Sequence, residues 1–337
     1  MTPQTLLTFL SSFALSALAT FLYSKVGERL GWVALPGGRR RHDRPVARTG
    51  GVGLFVGFFV VAVGLFWLGE FKPEHRLPLI GVISGAGFVF LGGLLDDWRE
   101  LKAGPQFAIQ LGATIIALLT TVWIGEVTFP FFGKQEIHML VRIPLTIFWV
   151  IGMMNTVNFL DGLDGLATGV GAIAAILFAI HSASLEQREI AQYSLALAGA
   201  CVGFLIFNFH PARTFLGSAG AMTLGYALAT LSILAPARIA TALLVMGLPI
   251  ADVAFQILDR WRRGQSPLQG DRGHLHFRLT DLGLPQWQIV LGYWAFCALS
   301  GVAALSDISR ELKLAAIGGL GAAVMVVLIV LRQKQNH

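Results

Sequence analysis

The sequence predicts an all-α, polytopic integral membrane bundle of about eleven transmembrane helices, N-terminus outside and C-terminus cytoplasmic. Three observations carry this. Of the 337 residues, 55% are hydrophobic and 13% charged, against roughly 25% charged in an ordinary soluble domain, and the mean hydropathy is +0.69. Apolar runs of about 20 residues recur along the chain, and such a run crosses ~30 Å of hydrocarbon only as a helix, because lipid offers no partner to open backbone. Lys and Arg fall unevenly between alternate connecting segments, which sets orientation because they accumulate on the cytoplasmic side.

In chain order the expected spans are 4–23, 50–69, 77–95, 106–124, 142–160, 165–182, 192–208, 214–233, 237–258, 287–305 and 312–331. Length alone allows about two soluble domains, but this succession of spans reads as a single transmembrane domain over 1–337. The first span ends in small residues, as a secretory signal does, yet it lacks a basic leader and more spans follow, so it reads as a retained helix. Cys201 and Cys297 lie inside apolar runs with neither disulfide nor zinc spacing, and read as small buried hydrophobes. The inner segments hold 7 Lys and Arg in 25–48, 2 in 96–105, 1 at Arg213, 5 in 259–282 and 2 in the tail, which is 17 of 25 and leaves 8 outside. The net charge of +6 therefore belongs to the membrane's inner surface and needs no nucleic-acid partner. The longest outer segment, 125–141, is apolar and aromatic with a few charges and reads as interfacial.

In this topology every strongly polar cluster faces the cytoplasm: 39–51, 96–102, 155–165, 208–220 and 260–278. In the third, Asn155 and Asn158 are spaced i,i+3, as are Asp161 and Asp164, so a helical or turn-like backbone presents each pair on one side. Four oxygen-bearing side chains and a flexible backbone suit a cation with phosphate, while Asn, Asp and Gly also mark a plain helix end and turn. Asp96 and Asp97 close an apolar run, where ionisable groups are costly unless they have a role. They read as a general base or cation-binding pair, or as interfacial charges partnered by Arg99 and Lys102.

In 208–220, Pro211 stops a helix, and Gly217 and Gly220 let backbone approach a ligand; the alternative is a simple turn. Phe215 either stacks on a base or packs. In the last inner loop, His274 and His276 flank one residue and, with Asp271, Arg272 and Arg278, make a cationic patch suited to phosphates, with too few ligands for zinc. Anionic headgroups account for Arg260 to Arg263 and largely for Arg39 to Arg41. His42, Arg44 and Arg48 read either way.

Gly-Arg-Arg-Arg-His-Asp-Arg-Pro-Val-Ala-Arg-Thr-Gly-Gly (38–51), Leu-Asp-Asp (95–97), Asn-Thr-Val-Asn-Phe-Leu-Asp-Gly-Leu-Asp-Gly (155–165), Asn-x-x-Pro-Ala-Arg-x-Phe-Leu-Gly (208–217) and Asp-Arg-Gly-His-Leu-His (271–276) together resemble the ordered motif set of the polyprenyl-phosphate N-acetylhexosamine-1-phosphate transferases, glycosyltransferase family 4. The likeness runs from about residue 36 to 284. The His-Leu-His loop resembles the GlcNAc-1-phosphate (WecA/TagO-like) branch; the branch that transfers phospho-MurNAc-pentapeptide would show consecutive histidines. The resemblance implies transfer of GlcNAc-1-phosphate from UDP-GlcNAc, or a related UDP-HexNAc, to undecaprenyl phosphate with release of UMP. It further implies dependence on Mg²⁺, with Mn²⁺ as an alternative, at the cytoplasmic face of the bacterial inner membrane, as the first membrane step of a cell-surface glycan such as lipopolysaccharide or teichoic acid. A homodimer among membrane lipids is the family expectation.

Carried over by motif, Asp96 and Asp97 match the essential acidic pair, one of them deprotonating the lipid phosphate. Asn158 matches a metal and pyrophosphate position. Asp161 and Asp164 match nucleotide-sugar positions, Asn208 lines the same site and Phe215 matches the uracil-stacking aromatic. Arg272, His274 and His276 would hold phosphate or sugar, with Arg48. This is coherent, since phosphoryl transfer needs charge neutralisation and alignment more than covalent chemistry. Three positions depart from the pattern. Ser218 stands where the family has a metal-ligand Asp, Phe277 where a third histidine is usual, and Gln106 where a Lys is usual. A hydroxyl is a neutral, weaker ligand, so a disabled homologue that binds without turnover is an alternative. A secondary transporter would place its polar groups near the midplane on discontinuous helices of inverted repeats, and no inverted repeat is visible.

Overall fold

A computed structural model describes residues 3–30, 33–34, 46–47, 50–69, 72–129, 133–234, 237–264 and 273–306, with isolated positions between 309 and 326. The described residues form helices α1 (Pro3–Leu30), α2 (Gly50–Leu68), α3 (Pro73–Arg99), α4 (Ala103–Leu119), α5 (Met139–Leu160), α6 (Leu166–Ser184), α7 (Arg188–Asn208), α8 (Gly217–Ile233), α9 (Ala237–Val245), α10 (Gly247–Arg262), α11 (Leu275–Asp281) and α12 (Gln286–Leu305). Two small antiparallel ladders accompany them, β1 (Val33–Ala34) with β2 (Val46–Ala47) and β3 (Glu126–Phe129) with β4 (Gly133–Glu136). The expected all-α polytopic membrane architecture is the observed one, with the segment 125–141 carrying the second ladder as a hairpin.

Among the described residues seven helices are long and apolar enough to cross a membrane, namely α1, α2, α3, α5, α6, α7 and α12. α4 and α8 have 17 residues each, about 26 Å at 1.5 Å per residue, just short of the hydrocarbon thickness. The expected ninth span, 237–258, is broken at Met246 into α9 and α10, which bend by 76°. Apolar residues dominate on both sides of Met246, so the break is invisible to a hydropathy window. Most of the eleventh span, 312–331, lies outside the described residues.

α8 is the hub, in contact with α2, α3, α5, α6, α7 and α9. Every residue from Ala219 to Ile233 is buried, as a helix apolar on all sides requires. Lipid provides no hydrophobic drive between helices, so close backbone approach and hydrogen bonds have to hold the bundle. A Cβ at Gly93 of α3 would strike Ala219 Cα, and one at Gly225 would come within 2.6 Å of Met154 Cα on α5. On the other flank Gly199 and Gly203 of α7 admit the Phe9 and Phe13 carbonyls of α1, while Ser12 and Ser16 donate to the Ala196 and Ala200 carbonyls.

Candidate functional site

The site begins at the end of α3. Glu100 ends that helix in the left-handed region (φ 48°), its N–H donating to Asp96 O at 2.8 Å. The chain doubles back, and Asp96 Oδ1 receives Leu101 N–H (2.9 Å) and Gln106 Nε2 (2.9 Å). Neighbouring residues on a helix do not share a face, so Asp97 points elsewhere. Its Oδ1 accepts from Ser218 N–H (2.7 Å) and its Oδ2 from Ala219 N–H (3.0 Å). Asp97 thus caps α8, where unpaired N–H groups and the helix dipole favour an anion. Gly217 (φ 69°) turns the chain into that helix as few other residues could. The carboxylates read from sequence as a pair are therefore divided, Asp96 bracing the α3–α4 turn and Asp97 the α3–α8 contact.

The second wall is the turn 161–165. Asp161, nearly buried, follows α5 as its C-terminal cap, and its charge and that of Asp96 both lie within range of Asp97. Asp164 Oδ2 accepts from His210 Nδ1 (3.0 Å) and Ala212 N–H (3.1 Å), and Gly165 (φ 78°) starts α6. Asn208, 2% exposed, closes the joint: its Oδ1 accepts from Gly165 N–H (3.2 Å) and Thr168 Oγ1 (3.0 Å), and its Nδ2 donates to Thr214 O (3.0 Å). Its hydrogen bonds go to the protein, so it clamps the two segments together. Phe215 is 4% exposed and packs with Ala212 apart from the main core. Asn158 is half-buried, whereas Asn155 one turn earlier exchanges amide hydrogen bonds with Gln110 (2.9 and 3.2 Å).

The third wall is α10 with α11. His274 Nδ1 lies 2.9 Å from Asp252 Oδ2, and Asp252 Oδ1 accepts from Leu275 N–H at 2.9 Å. The His274 ring stacks on Phe159 (5.2 Å) and His276 (5.7 Å), and a Cβ at Gly162 would meet His276 Nε2 and the Phe277 ring. Both histidines are buried. Arg278 donates from Nε to Gly273 O (2.6 Å), shares that acceptor with Gln256, and lies over the Phe255 ring (5.7 Å). Asp252 and Gln256, with Asp259 and Arg260, form a buried polar face at helical spacing on α10; in the sequence, a carboxylate inside an otherwise apolar run is the signal that marks it.

Four of the five polar clusters thus meet at one end of the bundle. Of the fifth, Gly50 and Gly51 are described: a Cβ at Gly50 would lie 2.6 Å from Phe215 O, and one at Gly51 2.5 Å from Gly220 N. Arg48 and Arg272, expected to hold phosphate, lie outside the described residues. Among the described residues no group of three or more His, Cys, Asp or Glu is arranged to hold a metal ion.

A helical bundle with several membrane spans carries carboxylate, amide and imidazole groups around one helix N-terminus at one end, a setting that favours anions. Residues 79–236 match the model of glycosyl transferase family 4. The chain is 32% identical over 291 residues to a probable undecaprenyl-phosphate N-acetylglucosaminyl 1-phosphate transferase of Bacillus subtilis, covering 84% of this chain and 79% of that one. It is 31% identical over 366 residues to the decaprenyl-phosphate N-acetylglucosaminephosphotransferase of Mycobacterium tuberculosis (96% and 88%). It is also 29% identical over 315 residues to the phospho-N-acetylmuramoyl-pentapeptide-transferase of Halalkalibacterium halodurans (89% and 96%). The chain belongs to glycosyl transferase family 4, a family of phosphosugar transferases.

Proposed function

We propose that this protein transfers GlcNAc-1-phosphate from UDP-GlcNAc to undecaprenyl phosphate, releasing UMP, at the cytoplasmic face of the bacterial inner membrane. The observation that carries the reading is the convergence of Asp97 with the α8 N-terminus, the 161–165 turn and the His274–Phe277 segment, on a chain whose relatives are named for this chemistry. In the reaction an oxygen of the lipid phosphate attacks the phosphorus that bears the sugar. The bond from that phosphorus to the bridging oxygen breaks, and the electron pair leaves with UMP. Alignment and charge neutralisation supply most of the rate in such a transfer. Asp97, held by two N–H groups, serves as base toward the lipid phosphate, and Asp96 fixes the turn behind it. Asp161 and Asp164 border the nucleotide-sugar, and Phe215 and Asn208 shape its pocket.

The oxygen donors on this wall fit Mg²⁺, which takes one or two carboxylates and completes its shell with substrate phosphate and water. Asp161 and Asn158 would hold it, and it would supply charge neutralisation for the pyrophosphate. A second reading, a homologue that binds without turnover, is favoured by Ser218, whose described contribution to the Asp97 contact is its backbone N–H. Labelled UDP-GlcNAc given to detergent-solubilised protein with undecaprenyl phosphate and Mg²⁺ distinguishes them. Label in the extracted lipid with equimolar UMP is the expected result; calorimetric binding without lipid product supports the second reading, and neither binding nor product removes both.

A further inference from the structure

We propose that Asp252 is a positioning residue that sets the tautomer of His274, so that His274 Nε2 accepts a hydrogen bond from a hydroxyl or acetamido N–H of the donor sugar. The proposal rests on the reading above for the identity of that sugar. Asp252 is 3% exposed and uses both carboxylate oxygens on one segment: Oδ2 faces His274 Nδ1 at 2.9 Å, and Oδ1 accepts from Leu275 N–H at 2.9 Å. An ionised carboxylate only accepts, so the proton of the neutral ring must sit on Nδ1. Nε2 then carries a lone pair and, across the ring from Asp252, faces away from α10. It is buried and has no hydrogen-bond partner among the described residues. A buried acceptor left unmatched costs free energy, and one held in a fixed orientation is set to receive a donor.

The surroundings say where that donor comes from. The ring stacks on Phe159, next in sequence to Asn158, and on His276, which packs against Gly162 between Asp161 and Asp164. His274 therefore borders the nucleotide-sugar wall, with its ring nitrogens left to hydrogen-bond in the plane of the ring. Phosphate oxygens carry no proton for a lone pair to accept, whereas sugar hydroxyls and the acetamido N–H do. Residues acting as a unit through one ring should show non-additive losses.

The test uses ¹⁵N-histidine-labelled full-length protein in lipid nanodiscs, the His274 signals being assigned by their disappearance in His274→Gln. The expected spectrum has Nδ1 protonated and Nε2 bare, with Asp252→Asn shifting the ring away from that state. A parent spectrum with Nε2 protonated and Nδ1 bare, or a tautomer unmoved by Asp252→Asn, overturns the pairing, and neither result needs a ligand. Calorimetry then compares UDP-GlcNAc with UDP. Asp252→Asn and His274→Gln should each weaken UDP-GlcNAc about tenfold, leave UDP within about twofold, and lose nothing further when combined. Equal losses for the two nucleotides, or additive losses, overturn the positioning role. Failure of the parent protein to bind either nucleotide overturns the proposed function instead, while the tautomer measurement still decides the pairing.

Discussion

At the scale of single residues, Asp97 and Ser218 set the character of the site. Asp97 bonds two backbone N–H groups at the start of α8, and one of them belongs to Ser218. Restoring a carboxylate there adds negative charge where the resemblance expects a metal ligand. Ser218→Asp is expected to raise Mg²⁺-dependent UMP release at least about tenfold, which corresponds to about 1.4 kcal/mol of barrier, read by coupled UMP detection. Full turnover in the parent with no gain in the variant would show that Ser218 is no defect. Asp97→Asn should lower turnover by about 100-fold or more, as loss of a general base does. It should cost only about 1 kcal/mol of stability, since an amide oxygen still accepts one of the two bonds. Unchanged turnover would remove Asp97 as the base. Much of this was legible in the sequence as residue types at helix ends. The division of labour between Asp96 and Asp97 was not, because adjacent carboxylates look equivalent until the helix axis and its neighbours are known.

At the scale of elements, two devices hold the site walls in place. One is the close approach of α3 and α8 at Gly93 and Ala219, one turn before Asp97. Gly93→Val should force the helices apart, lower the thermal midpoint by an amount equivalent to about 1–3 kcal/mol, and reduce turnover with it; a fully active, equally stable variant would refute the contact's role. The other is Asn208, whose amide bonds the first turn of α6 and the segment leading to α8. Asn208→Ala strands these buried groups and is expected to cost about 2–4 kcal/mol in chemical denaturation. If stability holds and nucleotide binding alone is lost, Asn208 belongs to the ligand shell instead of the scaffold. The apolar runs located α1 to α8 and α12 within several residues. They missed the break at Met246, because both halves are apolar enough to read as one span. They also missed the buried polar face of α10, because four polar positions at helical spacing were diluted by the window around them.

For the whole molecule, the Lys and Arg distribution predicts which way the bundle sits, and exposed positions at its two ends can report it. Arg213, exposed beside the site, and Met139, exposed at the start of α5, are suited to single-cysteine labelling, since both native cysteines are buried. Arg213→Cys is expected to react with an impermeant maleimide only in inside-out vesicles, and Met139→Cys only in right-side-out ones; the reverse pattern would invert the topology. By itself the sequence determined the membrane class, the order of the helices, the family and the residue types of the polar clusters. These follow from local composition, since hydrocarbon thickness dictates span length and backbone in lipid must bond within its own segment. Tertiary structure alone decided which clusters meet. It capped α8 with Asp97, turned Asn208 and Arg278 into scaffold, broke the ninth span and brought Asp252 to His274. Each of these depends on contacts between residues dozens of positions apart, set by where glycines and small residues let helices approach, and a linear pattern does not encode that distance.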